Sequence, residues 1–438
     1  MGRRRRLFST KLRKTNNLAQ RSYGRRADPA AVSIVGCFGI LAHVWRRLIP
    51  FLCVAGLAMP LAAETVLVVP FSNVSAARNL DWIGDSLSET ILEALAAEGV
   101  GVVPPETRDE ILRQMSVRRY AVLTRASVME IAVNCDAGLV LSGEFDFVPA
   151  AAGSASKGVL RVGLRILDVR RMKRGAEFNV TGPLEELSTL QSRLAWQSLQ
   201  SLSPEVSHTE DEFRRSHPAV RIDALESYIR GLLASQTDLK YKLFTNAVRL
   251  EPSYSQPCFH LGKLNYAART YRGAADWLQK VNPADLHYRE ALFYLGLSRY
   301  QTGDFKGAVE VLRKLAEMIP LAEVLNNLGA AQVRAGEAGA AETFLKAVEL
   351  DPADPVYHYN AGYALWRKGE YDQAADSFRS ALQRKPEDDT ATLMLGRCLK
   401  KQGPRPGDLK TEALERLKTE YNESAWLALK SMLTPKVK

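Results

Sequence analysis

Six glycines recur at near-constant spacing in the second half of the chain, with steps of 31, 34, 33, 33 and 34 residues. They are Gly231, Gly262, Gly296, Gly329, Gly362 and Gly396. A period near 34 residues is typical of a stacked array of helix pairs, in which a small residue lies where two helices approach closely. Such an array fixes the fold of half the chain, and its neighbouring units together form an extended binding surface.

The clearest copy of the repeating unit spans residues 355–387. Its first helix carries Gly362, and its second helix carries Ala374 and Phe378. Pro386 follows, and a proline ends a helix because it has no N–H to donate. Small residues at the helix contact, a large residue between turns and a closing proline together resemble the tetratricopeptide repeat.

The resemblance covers residues 220–438 and implies an all-α solenoid. We expect tetratricopeptide repeats over residues 220–403 and capping helices over residues 404–438, because an end repeat must present a polar outer face. Within the cap, the charged stretch from residue 409 to about residue 421 is predicted to be a helix.

The formal net charge of +10 is concentrated at one end of the chain. Residues 1–47 hold twelve lysines and arginines and a single acid, Asp28, so this segment carries +11 and the remainder carries −1. The rest of the chain has no basic excess, and the overall charge therefore gives no argument for nucleic-acid binding. We expect no nucleic-acid partner.

Two apolar stretches, residues 30–45 and 48–63, lie at the end of this basic segment and beyond it. The second has the composition of a secretory signal peptide, with two arginines before it, an apolar core and small residues ahead of Glu64. The sequence therefore predicts export to the periplasm or the cell envelope, with cleavage before Glu64.

Two alternatives remain for residues 1–63. In one, residues 30–63 are retained as a membrane anchor, with the basic residues held on the inner side. In the other, the start codon is misplaced and Val44 is the true initiator.

Residues 64–205 have a different pattern, that of an α/β domain. The continuous apolar run over residues 66–71 predicts a buried central strand, whereas residues 159–169 alternate apolar and polar side chains as in a strand with one wet face. Residues 81–97 place an apolar side chain at every fourth position, as in an amphipathic helix. The order of elements predicts a mixed sheet with helices packed against it, joined to the repeats by a linker over residues 206–219.

Three short motifs in this domain suggest a family. LVVPFSNVS at residues 67–75, LDWIG at residues 80–84 and LVLSG at residues 139–143 resemble the amino-terminal domain of the periplasmic protein TolB and the related FlgO-type envelope domain. The resemblance covers about 140 residues of the chain. It implies a non-catalytic envelope domain, and in many bacterial chains such a domain is followed by tetratricopeptide repeats.

The sequence offers one partial catalytic motif and no metal-binding motif. Gly84, Asp85 and Ser86 match the start of a GDSL-hydrolase signature, but Asp85 and Ser86 fall at a helix start and no histidine has an aspartate three residues before it. The 6 histidines and 5 cysteines are not arranged at metal-ligand spacing, and an odd cysteine count argues against a disulfide framework. We expect no enzymatic activity, no cofactor and no metal.

In a stacked array the first helix of each pair lines the concave face. The family's positions, carried over to this chain, predict a groove for a protein or peptide partner that is lined by Phe259, Lys263, Tyr266, Phe293, Leu297, Tyr300, Asn326, Asn327, Arg334, Asn360, Tyr363, Trp366 and Arg367. Asn327 and Asn360 occupy the place where peptide-binding members often use asparagine to hold a backbone. The aromatic residues favour an apolar or extended peptide, unless they only pack between repeats.

Two functions fit these observations. The first is a bacterial envelope scaffold that gathers partner proteins through the repeats. The alternative is a membrane-anchored sensory or regulatory protein whose TolB-like domain or repeats bind a signal ligand. Cleavage of the N-terminal segment favours the scaffold, and retention of an anchor favours the sensor.

Overall fold

The computed structural model describes residues 65–405, except residues 118–119, 152, 155 and 207–208, together with residues 414–423. The predicted signal or anchor segment lies outside the described residues. Within the described ranges, no helix is both long enough and apolar enough to cross a bilayer.

A mixed sheet of five strands forms the centre of the α/β domain. β1 (Val66–Val68) and β2 (Ser72–Asn73) both pair in parallel with β3 (Leu139–Pro149), one after the other along its length. β3 then continues into an antiparallel meander with β4 (Gly158–Asp168) and β5 (Lys173–Pro183).

Helices cover both faces of this sheet. α1 (Trp82–Ala97) and α4 (Leu187–Leu202) pack on one face, and α2 (Pro105–Gln114) and α3 (Arg125–Asn134) pack on the other. Successive side chains of a strand point to opposite faces, so β1 contributes to both apolar cores. This explains why β1 lies in a continuous apolar run rather than an alternating one.

Beside β1, Val102 forms a single parallel bridge with Val66. The predicted linker contains a helix, α5 (Glu210–Ser216), which starts at a capping box formed by Thr209 and Glu212. This helix contributes Phe213 to the core of the α/β domain, so the two halves of the chain are joined by packed structure.

The second half of the chain consists of helices that pack in consecutive pairs. These are α6 (Ile222–Leu233) with α7 (Thr237–Leu250), α8 (Gln256–Ala267) with α9 (Tyr271–Leu278), α10 (Tyr288–Gln301) with α11 (Phe305–Met318), α12 (Ala322–Ala335) with α13 (Ala340–Leu350), and α14 (Pro355–Lys368) with α15 (Tyr371–Arg384), followed by α16 (Asp389–Leu399). The predicted fold class, an α/β domain followed by an all-α solenoid, is confirmed.

The recurring glycines mark the contact within each helix pair. A Cβ atom added to Gly362 would lie 3.1 Å from the carbonyl oxygen of Ala374 and 3.2 Å from the ring of Phe378. Four earlier glycines face a large side chain of the second helix in the same way, whereas nothing lies within 4 Å of a Cβ built on Gly396. The period therefore comes from side-chain packing at the seam between paired helices.

The first repeats share one apolar core with the α/β domain. Tyr228 of α6 and Phe244 of α7 belong to the same buried cluster as Leu87 and Leu95 of α1. Because this core is continuous, the array begins on a fixed base and its concave face has a defined start.

Candidate peptide-binding groove

Residues 414–423, hereafter the groove segment, lie against the concave face formed by α10, α12 and α14. The described residues of this segment contain no helix. The helix predicted from residue 409 to about residue 421 is therefore wrong over the part that the structure describes. The physical reason is that the backbone groups of Arg416 and Lys418 bond to side chains across the groove instead of to carbonyls and amides within their own segment.

Two asparagines hold the backbone of the groove segment at two points. The side-chain oxygen of Asn360 accepts a hydrogen bond from the backbone N–H of Arg416 at 2.8 Å, and the side-chain amide of Asn360 donates to the carbonyl oxygen of Arg416 at 2.7 Å. Asn327 does the same for Lys418, at 2.9 and 2.7 Å. The two held residues are two apart, which puts them on the same side of an extended chain.

Asn326 completes this group, which we call the asparagine clamp (Asn326, Asn327 and Asn360). Its amide donates to the carbonyl oxygen of Arg416 at 2.9 Å, and its own oxygen accepts from Asn360 at 2.7 Å. All three clamp residues are fully buried. This burial includes the cover that the segment itself provides. Because a buried polar group left without a partner costs about 1–3 kcal/mol, an occupant that covers the clamp must offer it polar groups, as a peptide backbone does.

Two aspartates at helix starts bind the basic side chains of the segment. Asp354 and Asp388 cap α14 and α16, and one oxygen of each accepts a backbone N–H of the first turn, at 2.8 and 3.0 Å. Asp354 also pairs with the ammonium of Lys418, and Asp388 pairs at two points with the guanidinium of Arg416, at 2.8 Å for one of them. The hydrogen bonds from Arg416 hold the pKa of Asp388 below its ordinary value.

Aromatic rings lie beneath the same two cations. The guanidinium carbon of Arg416 is 3.5 Å from the centre of the Tyr359 ring, and the ammonium of Lys418 is 5.1 Å from the centre of the Tyr357 ring. Burial raises the pKa of Tyr359 to about 12, so the ring stays neutral. Each basic side chain of the segment thus has a carboxylate on one side and an aromatic face on the other.

A pocket for an acidic side chain lies beside these sites. Glu415 receives hydrogen bonds from the hydroxyl of Tyr300 and from Nε of Arg334, and its side chain is 0% exposed. The same Nε of Arg334 lies 3.3 Å from the Tyr300 hydroxyl. A buried carboxylate is stable only with charge and hydrogen-bond partners, so this pocket favours an acid over other side chains.

The far end of the segment lies on α10. The ring of Tyr421 is 5.3 Å from that of Phe293, and the carboxylate of Glu423 receives two hydrogen bonds from Arg289, at 2.8 and 3.0 Å. Burial alone would raise the pKa of Glu423, but the bonds from Arg289 and Tyr421 lower it below its ordinary value.

The structure divides the predicted groove residues into two sets. The first set contacts the groove segment and comprises Phe293, Tyr300, Asn326, Asn327, Arg334 and Asn360. The other predicted residues make their described hydrogen bonds and ring contacts elsewhere, although Tyr363 also lies within electrostatic range of Glu415. Trp366 is fully buried and donates its indole N–H to the carbonyl oxygen of Gln402 at 2.7 Å. Leu297 is fully buried in the repeat core, and Tyr363 is buried beside Trp366 with Arg367 over its ring.

Phe259, Lys263 and Tyr266 lie on α8, away from the groove segment. Phe259 stacks on His287 at 4.4 Å, Tyr266 packs against neighbouring tyrosine rings, and Lys263 pairs with Glu290 at 2.7 Å. This end of the concave face therefore packs mainly against its own array.

Sequence reasoning missed the residues that bind the charged side chains of the segment. They are Arg289, Asp354, Tyr357, Tyr359 and Asp388. A signal was available, because Asp354 and Asp388 stand one repeat apart in the sequence, as do Asn326 and Asn360. Aspartate before a helix is commonly a cap, however, and that interpretation hides a second role.

A separate cavity of about 750 Å³ lies between α1 and α2 of the α/β domain and the first repeats. Glu89, Glu93, Arg108 and His260 are among the residues that line it. Burial raises the pKa of Glu89 to about 7 and that of Glu93 well above its ordinary value, although Gln256 donates a hydrogen bond to Glu93. Burial also lowers the pKa of His260 to about 3, so the cavity holds a neutral imidazole beside buried carboxyl groups.

The residues resembling a hydrolase signature have structural contacts. A Cβ on Gly84 would lie 2.0 Å from the carbonyl oxygen of Phe71, so only glycine allows α1 to start this close to the strand. Ser86 is fully buried and its hydroxyl accepts a hydrogen bond from Gln191 at 2.6 Å. Across the part of the chain that the structure describes, no three His, Cys, Asp or Glu residues are placed to hold a metal ion.

Comparison with known proteins identifies the class of the helical half. The family model for the tetratricopeptide repeat matches residues 294–355 and 359–405. The presence of tetratricopeptide repeats, which bind protein or peptide partners, is thereby confirmed, and no enzyme family is indicated. No curated protein matches the chain.

Part of the chain is also similar to several solved structures. YrrB, described as a TPR protein with an unusual peptide-binding site, is 20% identical, with 41% of this chain and 92% of YrrB covered at a TM-score of 0.37. MamA from Desulfovibrio magneticus RS-1 is 22% identical, with 39% and 99% covered at 0.35. TTC0263 of Thermus thermophilus, described as a thermophilic TPR protein, is 16% identical, with 40% and 99% covered at 0.30.

Proposed function

We propose that this protein is a non-catalytic scaffold that holds an extended peptide segment of a partner protein in the groove of its repeat array. The observation that carries the proposal is the asparagine clamp, which bonds to both the N–H and the carbonyl of alternate residues in an extended chain. These bonds go to backbone atoms, which every peptide has. Selectivity for particular side chains comes from the capping aspartates and from the pocket of Tyr300 and Arg334 beside the clamp.

The clamp offers a direct test. Replacing Asn327 and Asn360 with alanine removes four hydrogen bonds to a bound backbone, each worth about 0.5–1.5 kcal/mol. The clamp also holds the protein's own groove segment, so the double variant and its control are both made in a background in which Glu415→Gln, Arg416→Ala and Lys418→Ala weaken the hold on that segment. In this background we expect the double variant to capture peptides from an immobilised library of ten-residue sequences at least about tenfold less well. The matched control is Arg367→Ala, an exposed change on the same helix. Equal capture by the double variant and the control would rule out the clamp as the binding element.

We further propose that the scaffold works in the bacterial envelope. Support comes from the signal-like residues 48–63 and from the resemblance of residues 64–205 to the TolB amino-terminal and FlgO-type domains. N-terminal sequencing of the mature protein from a bacterial envelope fraction is expected to start at Glu64. Recovery of a protein with an intact Met1 from the cytosol would contradict this location.

A second candidate function is signal sensing, with residues 30–63 kept as a membrane anchor. The cavity between the α/β domain and the repeats favours it, because Oε1 of Glu93 is buried there and has no hydrogen-bond partner among the described residues. A small amine ligand would pair with such a carboxyl. If the protein is such a sensor, small amines raise the melting temperature of the full chain but not of the Glu93→Gln variant. If no amine in the series shifts the melting temperature, the cavity is not an amine site.

A further inference from the structure

The groove segment matches the groove side chain by side chain. Its acid at 415 lies in the basic pocket, its bases at 416 and 418 lie on the two capping aspartates, and its acid at 423 lies on Arg289. Leu417 packs against the apolar side chains of the repeats between the two bases. Each charge of the segment that faces the groove therefore meets an opposite charge.

The residues of the segment that face away from the groove are exposed. Thr419 and Glu420 are accessible, whereas Glu415 is buried and Arg416 to Lys418 are half-buried. The exposed Asn422 still contacts the array through its backbone N–H, which donates to Glu323 at 3.1 Å. The bound chain is thus divided into positions that the groove contacts and positions that it leaves free to vary. A ligand for this groove is defined by the first set alone.

The contacts that hold the segment are individually weak, so a competing peptide can displace it. The cation of each ion pair is 26–34% exposed, so each pair, like each hydrogen bond of the asparagine clamp, contributes on the order of 1 kcal/mol. The apolar contribution is limited to Leu417 and Tyr421, which are half-buried. The segment is also tied to α16 by a short stretch of chain, and a short tether gives an effective concentration on the order of millimolar. Weak contacts and a high local concentration together describe an occupant that is usually bound and can still be displaced.

We propose that the groove segment is a built-in competitor for the groove. The partner that displaces it, under the function proposed above, is an extended peptide with the same order of side chains: an acid, a base, an apolar residue and a base, then an aromatic residue three positions on. The side chains of the segment indicate the chemistry of the ligand, because the segment bonds to the asparagine clamp and also pairs with the charged residues beside it. The same tether makes binding of a free peptide weaker than the groove itself allows, since only the unoccupied fraction of molecules is competent.

The test measures fluorescence anisotropy of a labelled peptide with the sequence of residues 414–423. Three proteins are compared: the full chain, a released variant (Glu415→Gln with Arg416→Ala and Lys418→Ala) and a control variant (Thr419→Ala with Glu420→Ala). The released variant keeps every residue of the repeat helices and should bind the peptide about ten- to a hundredfold more tightly than the full chain. The control variant changes only exposed positions and should bind as the full chain does.

A second peptide, in which both bases are replaced by glutamate, tests the charge order. It should bind the released variant at least about tenfold more weakly, because two acids would then face Asp354 and Asp388. Far-UV circular-dichroism spectra of all three proteins at 25 °C should coincide, which shows that the array is folded in each. The melting temperature of the released variant should be lower than that of the other two, because its folded state has lost a bound segment.

The outcomes separate this proposal from the scaffold function. Equal affinity of the full chain and the released variant would overturn the competitor while leaving the groove as a peptide site. Equal binding of both peptides by the released variant would overturn the charge order. If no protein binds either peptide, both the competitor and the scaffold function fail.

Discussion

The two ends of the concave face use the same repeat positions for different purposes. Phe259, Phe293 and Asn327 stand one repeat apart in the sequence and occupy the same place on α8, α10 and α12. Phe259 stacks on His287, Phe293 lies against Tyr421 of the groove segment, and Asn327 holds that segment's backbone. Repeat position therefore fixes the direction of a side chain, whereas its neighbours decide what it does.

A second series shows the same division. Tyr266, Tyr300 and Arg334 are also one repeat apart, and only the last two reach Glu415. Tyr266 lies among tyrosine rings next to the α/β domain's end of the array. The groove thus begins at α10, and α8 belongs to the base on which the array is built.

The largest expected effect concerns Trp366, which the sequence places in the groove and the structure places in the core. Trp366→Ala should lower the free energy of unfolding by about 3–5 kcal/mol, measured by urea denaturation, because a fully buried indole is lost. Arg367→Ala, one residue on and exposed, should change it by about 0.5 kcal/mol at most. A stable Trp366→Ala protein that no longer binds peptide would return this residue to the groove.

A smaller effect is expected at the seam between α14 and α15. Gly362→Leu should destabilise the protein by about 1–3 kcal/mol, because the added side chain meets Ala374 and Phe378. Gly396→Ala is the matched control, since its Cβ has room and alanine favours a helix by up to about 1 kcal/mol. Thermal melts that move in the same direction for both variants would contradict the idea that the glycine period records close helix contacts.

The stability of the cavity end should respond to pH between about 4.5 and 7, whereas the lowered pKa values of Asp388 and Glu423 make the groove end respond only at more acidic pH. Native-state burial raises the pKa of Glu89 from 4.5 to about 7, so the folded state binds a proton more tightly than the unfolded state. The resulting stability is fully present below pH 4.5 and is lost as pH rises to about 7. Glu89→Gln should remove about 1–3 kcal/mol of this pH dependence in urea titrations; the upper figure corresponds to the full shift, and partial exposure of Glu89 lowers it.

The control for this experiment is Glu130→Gln, an exposed change on α3, which should keep the wild-type pH profile. If Glu89→Gln keeps that profile too, the Glu89 carboxyl is ionised in the folded protein and the cavity is more open to water than its burial implies.

The smallest effect is expected for Lys263, a predicted groove residue that the structure places beside the cavity. Its ion pair with Glu290 is partly exposed, so Lys263→Ala should change the free energy of unfolding by no more than about 0.5 kcal/mol. Binding of the labelled peptide to the released variant should stay the same. A loss of peptide binding would extend the groove to α8 and weaken the distinction between the two ends of the concave face.

The sequence predicted the repeats well because their period comes from packing at glycines such as Gly262 and Gly362, which a residue count detects. Resemblance to the repeat family also pointed to Asn327 and Asn360, since the family's positions transfer directly. The capping aspartates escaped because their second oxygen binds a residue far away in the chain, which no local pattern records.

The groove segment was mispredicted for the opposite reason. Its mixture of leucines with acidic and basic residues favours a helix locally, where side chains three and four residues apart attract one another. Across the groove those same charges find partners on four different helices or helix starts, and its backbone finds the asparagine clamp. Long-range pairing overrides local propensity here, and only the folded array supplies it.

The clamp and Arg289 also give the groove a polarity. Arg416 is held at α14 and α16, Lys418 at α12 and Glu423 at α10, so the bound chain runs opposite to the order of the repeats. A partner bound in the same way has the N-terminal part of its segment near α16 and continues toward the α/β domain. A partner whose chain ends soon after the recognised segment would leave its free carboxyl terminus beside the α/β domain. A partner whose chain begins with the recognised segment would leave its amino terminus at the α16 end of the array.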